Sequence, residues 1–276
     1  MQSLFNSAPA RRRYLPRMHR LLHTPRRAQR ARDPQISEHA LLLPGLPPGL
    51  SGLRLVQLSD IHHGLYVPLA EVARCVDLAN ALRPDLIVVT GDFVTQSAQF
   101  IPPVAAMMGR LRAPLGIFAV LGNHDFRAGA ETLTTALRTQ RVHVLRNAHE
   151  YIETPRGRIK IVGIDDSRQR PDLRRAMGAA EPGQFTLLLA HNPVALEEAA
   201  AAGVDFVLSG HTHGGQIKFQ FADAFYSRFA PAGFLSRGKT RMYVSRGTGR
   251  VIVPLRFGAP PELAVFTLYA RGNGGR

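Results

Sequence analysis

The 276-residue sequence has one cysteine, Cys75, and no tryptophan. A lone thiol can form neither an intrachain disulfide nor a cysteine-based zinc site, so a metal here would need His, Asp and Asn ligands. No uninterrupted apolar run approaches the ~20 residues that span a bilayer. Acidic residues are missing from residues 1–32, a stretch that carries nine arginines. The formal charge of +15 is therefore mostly a property of one end, and the rest of the chain, with 26 basic and 20 acidic side chains, is only mildly basic. That distribution weighs against a nucleic-acid-binding domain.

What is present supports a folded, soluble protein. Hydrophobic residues make up 45% and charged residues 20% of the chain, enough apolar material for a sizeable core. The Arg-rich stretch lacks apolar periodicity, so residues 1–32 are expected to be largely disordered, with a possible role as a peripheral contact to anionic membrane. Arg11-Arg12-Arg13-Tyr14-Leu15 resembles a twin-arginine export signal, but no apolar segment follows it. The expected location is cytoplasmic, with membrane-peripheral attachment or export as lesser readings. Leu43-Pro44-Gly45-Leu46-Pro47-Pro48-Gly49 opposes both helix and central strand. The pattern therefore assigns residues 1–50 to a basic, Pro/Arg-rich extension and 51–276 to one catalytic domain.

From Ser51 onward, short apolar runs alternate with helical-period segments, as in stacked β–α units. Strands are expected at 53–58, 86–89, 116–121, 142–145, 158–164, 185–190 and 206–208. Helices are expected near 69–82, 104–111, 130–139 and 194–201, and the C-terminal third reads as strand and loop.

Polar, metal-competent residues follow one apolar strand after another, where open α/β sheets place their sites. In chain order these are Asp60-Ile61-His62-His63-Gly64, Gly91-Asp92, Gly122-Asn123-His124-Asp125, His191, and Gly210-His211-Thr212-His213-Gly214. Two-residue spacing in extended backbone would turn Asp60 and His62, and likewise His211 and His213, toward one region. Carboxylate, imidazole and amide oxygen together favour Mn, Fe or Zn over calcium. Any one block alone is an ordinary turn; five in a fixed order are not.

The five blocks resemble the calcineurin-like metallophosphoesterases, whose pattern is D-x-H, G-D, G-N-H-[DE], a lone His and G-H-x-H. The resemblance covers roughly residues 51–270. Ser245-Arg246-Gly247-Thr248-Gly249 and Pro260-Pro261-Glu262-Leu263 are similar to its YkuE- and YaeI-like bacterial phosphodiesterase branch. The resemblance implies an α/β (α+β) sandwich of two facing mixed β-sheets flanked by helices, with a dinuclear metal site at the strand ends. It implies that Asp60, His62 and His213 hold a first metal, that Asn123, His191 and His211 hold a second, and that Asp92 bridges them. His124 would lie outside the metals as general acid, with Asp125 hydrogen-bonded to it and fixing its tautomer.

Two divalent ions roughly 3.5–4 Å apart lower the pKa of a shared water and clamp a phosphoryl group during in-line displacement. A metal-bridging hydroxide would then be the nucleophile toward a phosphodiester or pyrophosphate, including a lipid-linked one. His63 reads either as a loop histidine or as a contact to substrate phosphate. Arg246 reads either as a surface arginine or as a bidentate phosphate clamp. The competing reading is an anionic-lipid or RNA-binding protein that uses its basic tail and keeps a non-catalytic metal site.

Overall fold

The computed structural model describes residues 33–179, 181–216 and 231–270. The Arg-rich stretch 1–32, with its expected disorder and twin-arginine pattern, lies outside the described residues. The first half of the chain forms β1 (Gln35–Leu42), β2 (Leu53–Leu58), α1 (Leu69–Ala81), β3 (Leu86–Thr90), α2 (Ile101–Met108), β4 (Ile117–Val120), α3 (Asn123–Thr139) and β5 (His143–Val144). The second half forms β6 (Ala148–Thr154), β7 (Gly157–Gly163), α4 (Leu173–Met177), β8 (Thr186–Leu189), α5 (Leu196–Ala201), β9 (Phe206–Ser209), β10 (Gly233–Arg237), β11 (Thr240–Val244) and β12 (Glu262–Tyr269).

These strands make two six-stranded mixed sheets, ordered β1-β12-β2-β3-β4-β5 and β10-β11-β9-β8-β7-β6. β2 to β5 run parallel, as do β7, β8, β9 and β11, so their carboxyl ends open along common edges. β3 shows why the layers stack. Every residue of Leu86–Thr90 is buried, and period-2 alternation sends Leu86 and Val88 into the core between the sheets while Ile87 and Val89 meet the helices. Phe118, Ile161, Leu187, Phe206 and Phe266 share the central core with Leu86 and Val88. Val72, Val104 and Leu133 from α1, α2 and α3 cover the outer face of the first sheet, and Leu173 and Ala199 from α4 and α5 cover that of the second. The result is the α/β sandwich of two facing mixed sheets flanked by helices that the resemblance implies. No described helix is long and apolar enough to cross a membrane.

The sequence pattern starts the folded domain at Ser51, whereas the structure starts it at Gln35. β1 pairs in parallel along its whole length with β12, from Gln35 opposite Glu262 to Leu42 opposite Tyr269. Its partner lies at the far end of the chain, so local pattern cannot announce it, and its mostly exposed side chains resemble a linker. α2 begins at Ile101, ahead of the expected Val104, because Pro102 and Pro103 sit in its first turn, where no backbone N–H is needed. α3 begins at Asn123, inside a chemical motif, and bends at Gly129 (φ 125°); the helical period expected from residue 130 is its second half.

Candidate metal centre

The five motif blocks converge at the carboxyl ends of β2, β3, β4, β8 and β9. They do so through tight turns and not through strand alternation, because Asp60, His62, Asp92, His211 and His213 all have φ between 50° and 71°. Left-handed backbone is unfavourable for such residues and is held only where surrounding contacts over-determine it. Gly91 shows how close the turns approach: a Cβ there would lie 2.6 Å from the Gly122 nitrogen and 2.8 Å from His191 Nδ1.

Two groups of donors result. Asp60, His62 and His213 form one, with His62 Nε2 3.0 Å from His213 Nε2 and His213 Nε2 3.4 Å from Asp60 Oδ1. Asp92, His191 and His211 form the other, with His211 Nδ1 3.2 Å from His191 Nε2. The alternate histidines of Gly210-His211-Thr212-His213 therefore serve different groups. Asp92 Oδ2 stands between them, 3.4 Å from His62 Nε2 and 3.3 Å from His191 Nε2.

The residues fit a pair of cations. Asn123 Oδ1 is buried without a hydrogen-bond partner, a costly state for an amide oxygen unless something electropositive meets it. Imidazole nitrogens held 3.0 and 3.2 Å apart in a buried site are likewise stabilised by an ion between their lone pairs. Burial lowers the pKa of His62 to about 4 and of His213 to about 3, which keeps both imidazoles neutral. His191 differs: burial disfavours its charge, but the Asp92 carboxylate outweighs that and raises its pKa to about 10. The charge on His191 in turn holds Asp92 below the usual carboxylate range against the cost of burial.

His124 lies on the rim of this site. Its ring meets that of His62 edge-on, 4.8 Å between centroids, and it forms a third possible donor group with His62 and Asp92. Its backbone N–H donates to Asp92 Oδ1 at 2.9 Å, and its Nδ1 is engaged by the Thr95 carbonyl. The expected bond from Asp125 to His124 is absent. The Asp125 carboxylate instead accepts the backbone N–H groups of Asp92, Phe93, Val94 and Gly122 at 2.8–3.2 Å. Buried with both oxygens occupied, it ties the β3 turn to the β4 turn, and the tautomer-fixing partner of His124 is Thr95. Burial and the adjacent Asp92 raise the Asp125 pKa, while the N–H groups that its oxygens accept favour the ionised form.

Two further expectations change. His63 is buried, with Nδ1 donating to the Val67 carbonyl at 2.9 Å and its ring edge-on to Phe100, so it shapes the turn after β2. The Arg246 guanidinium pairs with Glu262 at 3.0 Å and donates to Gln35 Oε1 and the Pro260 carbonyl, which commits its Nη2 and Nε to fastening β1 and β12 together. Among the described residues, Arg256 also reaches the site. Its Nη2 lies 3.0 Å from His213 Nδ1, and it donates to the Gly249 carbonyl at 2.7 Å and to the Ala259 carbonyl at 3.1 Å. Burial lowers its pKa to about 10, so it remains a cation at neutral pH. Nothing in the spacing of Pro254-Leu255-Arg256-Phe257-Gly258 marks it out among the chain's many arginines. Of the aromatic residues following the last motif, Phe234 lies on β10 against Tyr243 and Phe266, while Phe219, Phe221, Phe225, Tyr226 and Phe229 lie outside the described residues.

The sequence profile of the calcineurin-like phosphoesterases matches residues 53–215, more than half of the chain. A Bacillus subtilis strain 168 protein described as "Uncharacterized metallophosphoesterase YkuE" is 33% identical over 243 residues, covering 85% of each chain. An Aquifex aeolicus strain VF5 protein described as "Uncharacterized metallophosphoesterase" is 29% identical over 255 residues, covering 87% of this chain and 93% of that one. A Bos taurus "Transmembrane protein with metallophosphoesterase domain" is 30% identical over 258 residues; the match covers 87% of this chain but 58% of that longer protein.

Proposed function

The chain belongs to the calcineurin-like phosphoesterase family of phosphoester hydrolases, and we propose that it is a dinuclear metal-dependent enzyme cleaving a phosphodiester or pyrophosphate bond. The observation that carries this reading is Asp92 Oδ2, which stands between the imidazole nitrogens of two separate donor groups. Asp60, His62 and His213 would hold one ion, and Asn123, His191 and His211 the other. Asp92 would be shared, because neutral imidazoles alone cannot offset two dications. The donor set suits Mn best, with Fe or Zn as alternatives. When bound, such ions supply Lewis acidity to the phosphoryl oxygens and lower the pKa of a shared water.

The chain's own residues do the rest. Asp125 fixes the loop that carries Asp92, through the N–H of Asp92 itself and of the two residues after it. His124, with Nδ1 committed to Thr95, has Nε2 left to meet the departing oxygen as general acid. Hydrolysis of bis-p-nitrophenyl phosphate tests the reading. Turnover should require Mn²⁺, vanish on chelation and return on adding the metal back. No metal-dependent turnover of any phosphoester would overturn it.

A lipid-linked substrate is supported by a separate observation. Leu65 (87% exposed), Ile252 (83%), Leu255 (51%) and Phe257 (58%) lie on two loops adjoining the Asp60 group. Arg250, which donates to the Tyr66 carbonyl, joins the loops, and Gly249, which donates to the Asp60 carbonyl, ties them to the site. Apolar side chains exposed at the edge of a catalytic centre suit an acyl chain or a lipid surface, and the nine arginines of residues 1–32 would add attraction to anionic headgroups. Faster cleavage of UDP-diacylglucosamine than of a cyclic nucleotide or RNA would support this substrate class. The opposite order would remove it.

A further inference from the structure

Behind Asp60 runs a chain of buried hydrogen bonds that the proposed chemistry does not itself require. Gln57 Nε2 donates to Thr90 Oγ1 at 2.9 Å, Thr90 Oγ1 donates to Ser59 Oγ at 2.8 Å, and Ser59 Oγ donates to Asp60 Oδ2 at 2.6 Å. All four residues are fully buried. Every donation points toward the carboxylate, so each bond polarises the next and the negative charge receives the summed effect. The orientation of Gln57 is fixed from the opposite sheet, because its Nε2 also donates to the Ser209 carbonyl at 2.9 Å. Ser209 ends β9, immediately before the block that carries His211 and His213.

Thr90 touches both donor groups by different atoms. Its hydroxyl acts toward Asp60 through Ser59, whereas its backbone carbonyl meets His191 Nδ1 at 2.7 Å. No room is spare around the chain: a Cβ at Gly210 would lie 1.9 Å from Ser59 Oγ and 2.3 Å from Asp60 Oδ2. The His211 N–H, donating to both Asp60 oxygens at 3.1 Å, completes the hold on the carboxylate.

We propose that Gln57, Thr90 and Ser59 are positioning residues for Asp60, and that their hydroxyl chain selectively sets metal affinity at the Asp60, His62 and His213 position. Ser59 keeps Oδ2 occupied and so presents Oδ1, the atom nearest His213 Nε2, to the ion. The inference rests on the dinuclear reading.

The backbone contact of Thr90 makes a selective test possible, since changing its side chain leaves the carbonyl on His191 in place. Mn²⁺ titration of the intact chain by EPR and calorimetry, with crystals soaked in Mn²⁺ to assign each position, would compare wild type with Thr90→Val, Thr90→Ser and Ser59→Ala. Thr90→Val keeps the shape and removes the hydroxyl; Thr90→Ser keeps the hydroxyl. Thr90→Val and Ser59→Ala are expected to weaken Mn²⁺ at the Asp60 position about 10-fold or more, the loss typical of a partner lying behind a ligand. The His191 position should stay within about twofold, and Thr90→Ser should match wild type within about twofold at both, taking ordinary outer-partner effects as the scale. Thermal unfolding of the metal-free variants identifies any that fail to fold, and Ser59→Ala supplies the test if Thr90→Val is one. Unchanged Mn²⁺ affinity in the folded variants, equal losses at both positions, or a Thr90→Ser defect as large as that of Thr90→Val would overturn the proposal. A wild-type chain that binds fewer than two ions would instead overturn the dinuclear reading and this inference with it.

Discussion

Asp125 Oδ2 accepts the backbone N–H of Asp92 at 2.8 Å, so the carboxylate between the two donor groups is held from behind by a second carboxylate 33 residues further along the chain. The same Asp125 side chain accepts three more backbone N–H groups, from Phe93, Val94 and Gly122. Asp125→Ala would leave four buried donors without an acceptor. At about 1–3 kcal/mol for each unsatisfied group, the protein should lose several kcal/mol of stability. Urea unfolding of the metal-free variant measures this, and a loss below about 1 kcal/mol would show that water replaces the carboxylate.

Asp92→Asn removes the one negative charge shared by both donor groups and should abolish turnover while weakening both metal positions. Metal analysis after dialysis against graded Mn²⁺ gives the answer. An active Asp92→Asn protein with two bound ions would refute the bridging role.

The gathering of Asp60, His62, Asp92, His191, His211 and His213 is legible in the sequence because metal-competent side chains follow directly after successive apolar strands. The layers are legible for a related reason, since a short, β-branched, wholly apolar run such as Leu86–Val89 between a proline and a glycine reads as a strand buried on both faces. What the sequence hides depends on contacts between distant residues. β1 exists because β12 lies beside it, and Arg246 is committed because Glu262 and Gln35 reach it. Asp125 adjoins His124 in sequence, but its position in the first turn of α3 directs its carboxylate to the Asp92 loop and away from the imidazole.

His124→Ala separates acid catalysis from metal binding. The variant should keep both ions and lower kcat by roughly 10²–10⁴ for substrates with alkoxide leaving groups, the span typical of a general acid. For p-nitrophenolate, which departs without a proton, the loss should be small. An equal loss for both would assign His124 to electrostatic stabilisation of the phosphoryl oxygens, and loss of metal would make it a ligand.

Metal binding should release protons at one position more than at the other. His191 holds its proton up to about 10 in the metal-free protein, whereas His62 and His213 are already neutral above about 4 and 3. An ion must displace the His191 proton, so apparent affinity at that position should rise with pH across the neutral range, by about tenfold per unit for one proton. Calorimetry in buffers of different ionisation enthalpy counts the protons. A pH-independent affinity at the His191 position would contradict the assignment.

Cys75 gives a further pH-dependent test. Its thiol is buried, and that burial raises its pKa to about 12. In the folded state it should resist alkylation at pH 8, because the thiolate is the reactive form. The unfolded chain ionises near its ordinary value, so this group's contribution to stability is intact below about 9 and falls as pH rises toward 12. Alkylation of the native protein as fast as of the unfolded chain would show that the packing around α1 opens readily.

Anomalous diffraction at the manganese edge, from crystals grown with Mn²⁺, would locate two ions sharing Asp92. Two peaks are expected roughly 3.5–4 Å apart, the separation of two-metal phosphoryl-transfer sites. One should lie among Asp60, His62 and His213, the other among Asn123, His191 and His211, with an Asp92 oxygen between them. A single peak, or two peaks that Asp92 does not join, would contradict the bridging role.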